Sequence, residues 1–182
     1  MIKLFEQYNE YSQVVEWLEE MGIKNFYIND DLTVDVDYYV NLFNRGLTEI
    51  PIQFGKVSGF FDCSNNYLIS LKGCPMEVGN DFNCACNQLT SLEYTPSEIN
   101  GDFDFNNNQL STLKGCPKDI SGRIRFIDNP LPDEVLSFID LHTLIKHQGE
   151  YSIWNDDGSF NKGRWNIFYK EYYEGKLDND ND

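Results

Sequence analysis

The chain has little of what metal sites and most active sites are made from. It carries two histidines, His142 and His147, and five cysteines, none of them in a CxxC pair. A zinc site takes four ligands in paired spacings, so no metal is predicted. The histidines lie five apart, off the i, i+4 spacing that shares a helical face, and are read as non-functional. The odd set of cysteines reads as small buried hydrophobes in a reducing compartment. No Ser/His/Asp or Cys/His constellation, phosphate loop or dinucleotide fingerprint is present, so no catalytic residue and no cofactor is expected, and the chain is not read as an enzyme. Basic residues are scarce: 14 against 30 acidic ones, for a net charge of −16. The deficit is even, about −6 over 1–56, −4 over 57–131 and −6 over 132–182. Such a chain is repelled by nucleic acid and by anionic lipid. Solubility explains the charge without a partner, and a basic partner surface is the sharper alternative. No apolar run approaches the roughly 20 residues that span a bilayer. The opening "MIKLFEQYNEYSQ" lacks a basic start, an apolar middle and a cleavage site, so a cytoplasmic protein is expected.

What is present is a repeat. "FDCSNNYLISLKGCP" (61–75), "FNCACNQLTSLEYTP" (82–96) and "FDFNNNQLSTLKGCP" (103–117) follow one another at a spacing of 21 residues. Val57, Val78, Ile99 and Ile120 open the units. Then come Phe61, Phe82, Phe103 and Ile124, and after them Cys63, Cys84, Phe105 and Phe126. Asn66, Asn87, Asn108 and Asn129 are followed by Leu68, Leu89, Leu110 and Leu131. Leu71, Leu92 and Leu113 and Pro75, Pro96 and Pro117 complete the pattern. A degenerate unit precedes it with Val36, Val40, Leu42, Leu47 and Ile50, for about five coils. The period of two in Phe61-Asp62-Cys63 predicts a short strand with Phe61 and Cys63 inward. Equivalent strands stack in parallel about 4.8 Å apart. The asparagines sit where the chain leaves the strand, and a buried amide there satisfies turn backbone from coil to coil. The leucines fill the interior, and the prolines keep the return side extended.

The motif LxxLxGxPxxVxGxFxCxxNxL resembles the leucine-rich repeat, in its short bacterial type with a proline in the return segment. The Phe and Cys strand positions, the "SLKGCP" returns and the flanks "FYINDDLTVDVD", "GLTEIPIQFGKVSG" and "NPLPDE…YSIWNDDGSFNKGRWN" look like repeat proteins of tailed bacteriophages. The resemblance covers roughly residues 25–170. It implies an α/β solenoid: a short leucine-rich-repeat-like coil stack with a parallel β-sheet on the concave face. Arg45 departs from it by standing where a ladder asparagine belongs, with Asn44 as the neighbouring substitute.

Around the solenoid (36–131), residues 1–35 read as an N-terminal cap. "SQVVEWLEEM" (12–21) is a helix with Ser12 as N-cap, Val14, Trp17, Leu18 and Met21 on one face, and Gly22 as terminator. "FYINDDLTVDV" is a hairpin about an Asp-Asp turn. Residues 132–176 form a helical C-terminal cap, with helices in "DEVLSFIDLHTLIKHQ" and "NKGRWNIFYKEYYEG" and with Trp154 and Trp165 as core. The acidic tail 177–182 is expected to be disordered.

The residues between the inward ones point out on the concave sheet, the surface that solenoids commonly use for binding. They run Tyr39-Asn41-Phe43, Phe60-Asp62-Ser64, Asp81-Asn83-Ala85, Asp102-Asp104-Asn106 and Arg123-Arg125-Ile127. The layout has an aromatic end, an acidic middle and a basic end. The candidate partner-binding residues are Tyr39, Phe43, Phe60, Asp62, Asp81, Asn83, Asp102, Asp104, Arg123 and Arg125. Cross-strand pairs of Arg123 with Asp102 and Arg125 with Asp104 are the structural alternative. Side-by-side carboxylates do not converge as calcium requires. The leading expectation is a protein-interaction module that grips a partner with a basic surface. With the phage resemblance, the partner would be a host protein, such as a defence component that is thereby inhibited. A DNA mimic blocking a nucleic-acid-binding protein, and a self-assembling virion-associated repeat, are the alternatives. The sequence leaves the oligomeric state open.

Overall fold

The computed structural model describes the backbone over residues 2–177 and the side chains over 10–177. Of the expected tail, 178–182 lie outside the described residues, whereas Leu177 is buried in the core.

Helix α1 spans Ile2–Met21. It therefore begins ten residues before Ser12, which lies inside it rather than capping it. Its face is the expected one: Val14 and Leu18 are buried, and Trp17 and Met21 pack against the core. Gly22, at φ 73°, ends it, its N–H donating to the Glu19 carbonyl while Ile23 N–H donates to that of Leu18. These are the two bonds of a Schellman motif, which uses glycine because that residue enters the left-handed region without a Cβ clash.

The hairpin follows, β1 (Phe26–Ile28) antiparallel to β2 (Val34–Val36). Each coil then contributes two strands. They are β3 (Val40–Asn41), β4 (Phe54–Val57), β5 (Phe61–Asp62), β6 (Glu77–Val78), β7 (Phe82–Asn83), β8 (Glu98–Ile99), β9 (Phe103–Asp104), β10 (Asp119–Ile120) and β11 (Ile124–Arg125). They form two sheets, not one: a six-stranded sheet β1-β2-β4-β6-β8-β10 and a five-stranded sheet β3-β5-β7-β9-β11. Apart from the hairpin, all pairings are parallel. The molecule is a β-solenoid of about four 21-residue turns. The valine and isoleucine column, taken from the sequence as a unit boundary, is the second sheet's worth of strands. No helix interrupts the coils; the helices only flank them.

The interior is columnar. Val57, Val78 and Ile99 back one sheet and Phe61, Phe82 and Phe103 the other, all buried. Phenylalanine rings run in contact through the stack: Phe54–Phe61 at 5.3 Å, Phe61–Phe82 at 5.8 Å and Phe82–Phe103 at 5.5 Å between centroids. Trp17 of α1 meets Phe54 at 6.2 Å and so joins the same column. The asparagine ladder forms as expected. Asn87 Nδ2 donates to the carbonyls of Cys63 (3.0 Å) in the coil before and Cys84 (3.1 Å) in its own, and its Oδ1 accepts from Leu68 N–H. Asn66, Asn108 and Asn129 repeat the arrangement. Each amide satisfies buried backbone that water does not reach.

Asn44 does not replace the missing first rung. It holds φ 54°, and Asn65, Cys86, Asn107 and Asp128 hold 53–58° at the same repeat position. That position is a left-handed residue one before the ladder, which Asn and Asp tolerate best. Arg45 instead donates through Nη2 to the Met21 carbonyl at the end of α1.

Beyond the last coil lie α2 (Asp133–Leu136), α3 (Leu141–His147) and α4 (Lys162–Tyr173). The expected single helix over 133–148 breaks at Ser137–Asp140, where Asp140 caps α3 by accepting from Thr143 N–H and Oγ1. Trp154 and Trp165 are core, as read. His142 has a structural contact, Nε2 lying 3.0 Å from the Gly122 carbonyl of the last coil, and Gln148 Nε2 donates to the Leu113 carbonyl. The turns Asn29–Thr33 and Asn155–Ser159 are built alike. In each, Asn N–H donates to the carbonyl four residues on, and the second aspartate, Asp31 or Asp157, accepts from a hydroxyl and an amide two residues on. Those hydroxyl bonds hold both aspartates below the usual carboxylate range.

Candidate functional site

The outer surface of the five-stranded sheet carries the residues singled out from the sequence. Its aromatic end is uncovered. Tyr39 is 57% exposed and lies flat on half-buried Phe60, with centroids 4.8 Å apart and planes 8° from parallel. Phe43 is 51% exposed. Helix α1 packs on Phe54 through Trp17.

The acidic middle is more structural than its composition implies. Asp62 Oδ1 accepts from Ser64 N–H and Oγ, and Asp104 Oδ1 from Asn106 N–H. Asn41 and Asn83 do the same for Phe43 and Ala85. One side-chain oxygen two residues before a turn amide is therefore required, and Asn and Asp supply it alternately up the column. Ser64 and Ala85, expected on the outer face, are 5% and 7% exposed, tucked beneath these turns.

The neighbouring column works between coils. Asp81 Oδ1 accepts from Asp102 N–H, and Asp102 Oδ1 from Arg123 N–H, both at 2.8 Å. On the other sheet Asp35 Oδ1 accepts from Lys56 N–H at 2.7 Å. A glycine precedes each donor. A Cβ at Gly101 would lie 2.3 Å from Asp81 Oδ1, and one at Gly122 would lie 2.5 Å from Asp102 Oδ1. The corner glycines thus admit the carboxylate of the coil before.

The basic end closes on the acidic middle by a different pairing from the expected one. Arg125 Nη2 reaches Asp102 Oδ2 at 2.8 Å, diagonally, rather than Asp104 beside it in register. Arg123 is exposed and offers its backbone N–H to Asp102. The Arg123 amide first, then the Arg125 guanidinium, outweigh desolvation and hold the Asp102 carboxyl below the usual range. Asp62, Asp81 and Asp104 have no ion pair among the described residues.

Sequence reasoning did not find a cleft of about 740 Å³ beside the aromatic end, lined by Met21–Asn25, Tyr38, Tyr39, Asn41 and Phe43–Arg45. It also missed a second acidic column: Glu77, Glu98 and Asp119 stand in register on the six-stranded sheet, with Lys56 paired to Glu77 at 3.2 Å. The signal was the 21-residue spacing of those three residues. Four cysteines are buried, and burial raises the thiols of Cys74, Cys84 and Cys116; Cys86, at a left-handed turn position, is exposed. Among the described residues no group of three or more His, Cys, Asp or Glu is arranged to hold a metal, and no helix is long and apolar enough to cross a membrane. No family model, curated protein or solved structure matches the chain, and what the fold shows is the 21-residue β-solenoid repeat itself.

Proposed function

We propose that the chain is a non-enzymatic protein-interaction module that binds through the outer face of its five-stranded sheet, with the flanking segments serving as caps. One observation carries this reading: a stacked aromatic pair and a third exposed ring border carboxylates without ion-pair partners. Exposed aromatic anchors with a charged rim are the composition of a protein-binding patch. The charges of Asp62, Asp81 and Asp104 face a partner with a basic surface. From the phage resemblance, that partner is a host protein, such as a defence component, which the module inhibits.

The column Glu77–Glu98–Asp119 favours a second reading, mimicry of a nucleic-acid backbone by a molecule of net charge −16. The test compares capture from bacterial lysate by the wild type, by Tyr39→Ala/Phe43→Ala and by Asp62→Asn/Asp81→Asn/Asp104→Asn. Asparagine keeps the oxygen each turn needs and removes only the charge. A partner lost by both variants supports the interaction face. A partner kept by both and displaced by duplex DNA moves the function to the mimic.

A further inference from the structure

The five-stranded sheet has an unfinished edge at its first coil. In each later coil three carbonyls accept from the coil before. Phe60, Asp62 and Ser64 take the N–H groups of Val40, Leu42 and Asn44. Asp81, Asn83 and Ala85 take those of Phe61, Cys63 and Asn65, and the series ends with Arg123, Arg125 and Ile127. The equivalent carbonyls of the first coil belong to Tyr39, Asn41 and Phe43. No donor among the described residues reaches them. In the other sheet the first parallel strand is covered, because the antiparallel β1 lies against β2 and is itself the edge. The 740 Å³ cleft occupies the place where a strand beside β3 would run, with Met21–Asn25 as its far wall.

Resting on the interaction reading above, we infer that β3 is a strand-acceptor edge which takes an extended, cationic segment of the partner protein. The added strand runs parallel to β3 and continues the coil register. Its core-facing residues donate to the carbonyls of Tyr39, Asn41 and Phe43, as Val40, Leu42 and Asn44 donate to the second coil. Main-chain bonding of this kind supplies affinity, and alternate side chains supply specificity. Its outward residues lie beside Tyr39 and Phe43. A guanidinium there covers an exposed ring face, and Asp62, two strands further in, adds to the negative field it meets. Lys24 stands on the far wall, so the inward positions are uncharged.

A second copy of the chain is the poorer occupant. Its matching donors, the N–H groups of Ile124, Phe126 and Asp128, lie at the end where His142 bonds Gly122 and where Val135 and Leu141 join the core. Two chains of charge −16 also repel each other.

The test uses the full chain and capped eight-residue peptides of alternating arginine and valine, with binding read by calorimetry. N-methylation of the valines removes the donors facing β3; N-methylation of the arginines removes those facing away. The valine-methylated peptide is expected to bind on the order of 100-fold more weakly than the parent, and the arginine-methylated one within about threefold of it. A glutamate–valine peptide is expected not to bind. Equal loss with either methylation, equal binding of the glutamate peptide, no binding of any peptide, or a dimer at micromolar concentration would overturn the edge. If Asp62→Asn/Asp104→Asn abolishes binding and methylation does not matter, the face reading stands and the edge proposal falls. If methylation of valine matters and those substitutions do not, the edge stands and the face reading falls.

Discussion

The two ends of the solenoid are built from the same repeat but meet solvent differently. At the last coil, His142, Gln148 and Lys114 tie the C-terminal segment to residues 113–122, and Phe138 sits in an aromatic cluster with Trp165, Phe168 and Tyr172. At the first coil, the hairpin covers the first parallel strand of one sheet with β1 and leaves β3 of the other uncovered, with Tyr39 and Phe43 exposed beside three carbonyls. A parallel stack has two unlike edges: the outward residues turn their N–H and C=O groups away from the stack at the first coil, and the inward residues do so at the last. Here the C-terminal segment is tied to the last coil, whereas no donor among the described residues reaches the outward carbonyls of the first. The lesson is that closure at one end serves stability, while the open edge is a surface a soluble protein ordinarily blunts.

Removing an aromatic ring from each end tests this contrast most strongly. Phe138→Ala should cost about 3–5 kcal/mol, as truncation of a buried aromatic does, and Phe43→Ala about 0.5 kcal/mol or less. Urea unfolding measures both; similar losses would mean that the first coil is covered after all. Next in size, Asn108→Ala should cost about 2–4 kcal/mol, because it strips bonds from the buried carbonyls of Cys84 and Phe105 and from Leu89 N–H. Asp62→Asn should change stability by about 0.5 kcal/mol or less, since Asn41 and Asn83 hold the same turn.

A smaller gain is expected from Tyr94→Gly. Tyr94 holds φ 67° where the neighbouring coils have Gly73 and Gly115, so the substitution should stabilise by about 1 kcal/mol. A loss instead would show that the exposed ring has a packing role.

Acid should loosen the packed end. Burial raises the Asp140 carboxyl, but bonds from Thr143 N–H and Oγ1 and from the Tyr172 hydroxyl outweigh it and leave the group below its usual value. A folded pKa lower than the unfolded one stabilises fully above the unfolded value near 3.9 and stops doing so as pH falls through the folded one. Tryptophan fluorescence should therefore report loosening below about pH 4. Asp140→Asn keeps a capping oxygen and should flatten that limb; an unchanged limb would assign it to other carboxylates.

Much of this fold was legible in the chain, for a physical reason. The 21-residue identity of Phe61, Asn66, Leu68 and Pro75 with their successors marks buried columns, and burial tolerates few residue types. The second sheet was not legible, because strands as short as Glu77–Val78 are too brief to show alternation. Nor was the structural duty of the outer aspartates. A carboxylate that holds a turn amide and one that is free look alike in sequence, and only the alternation of Asn41, Asp62, Asn83 and Asp104 hinted at it. The helix start was misplaced because Ser12 has the chemistry of a cap yet sits mid-helix. The open edge left no sequence signal, since it consists of backbone.

Residue-resolved amide exchange by NMR tests the central claim, that the first coil of the five-stranded sheet is open. Asn41 N–H faces the cleft, while its equivalents Asp62, Asn83 and Asp104 sit in strands paired with the coil before. The account predicts exchange at Asn41 near the unstructured rate and slowing on the order of 100-fold or more at the other three. Protection of Asn41 equal to theirs in the free protein would contradict it.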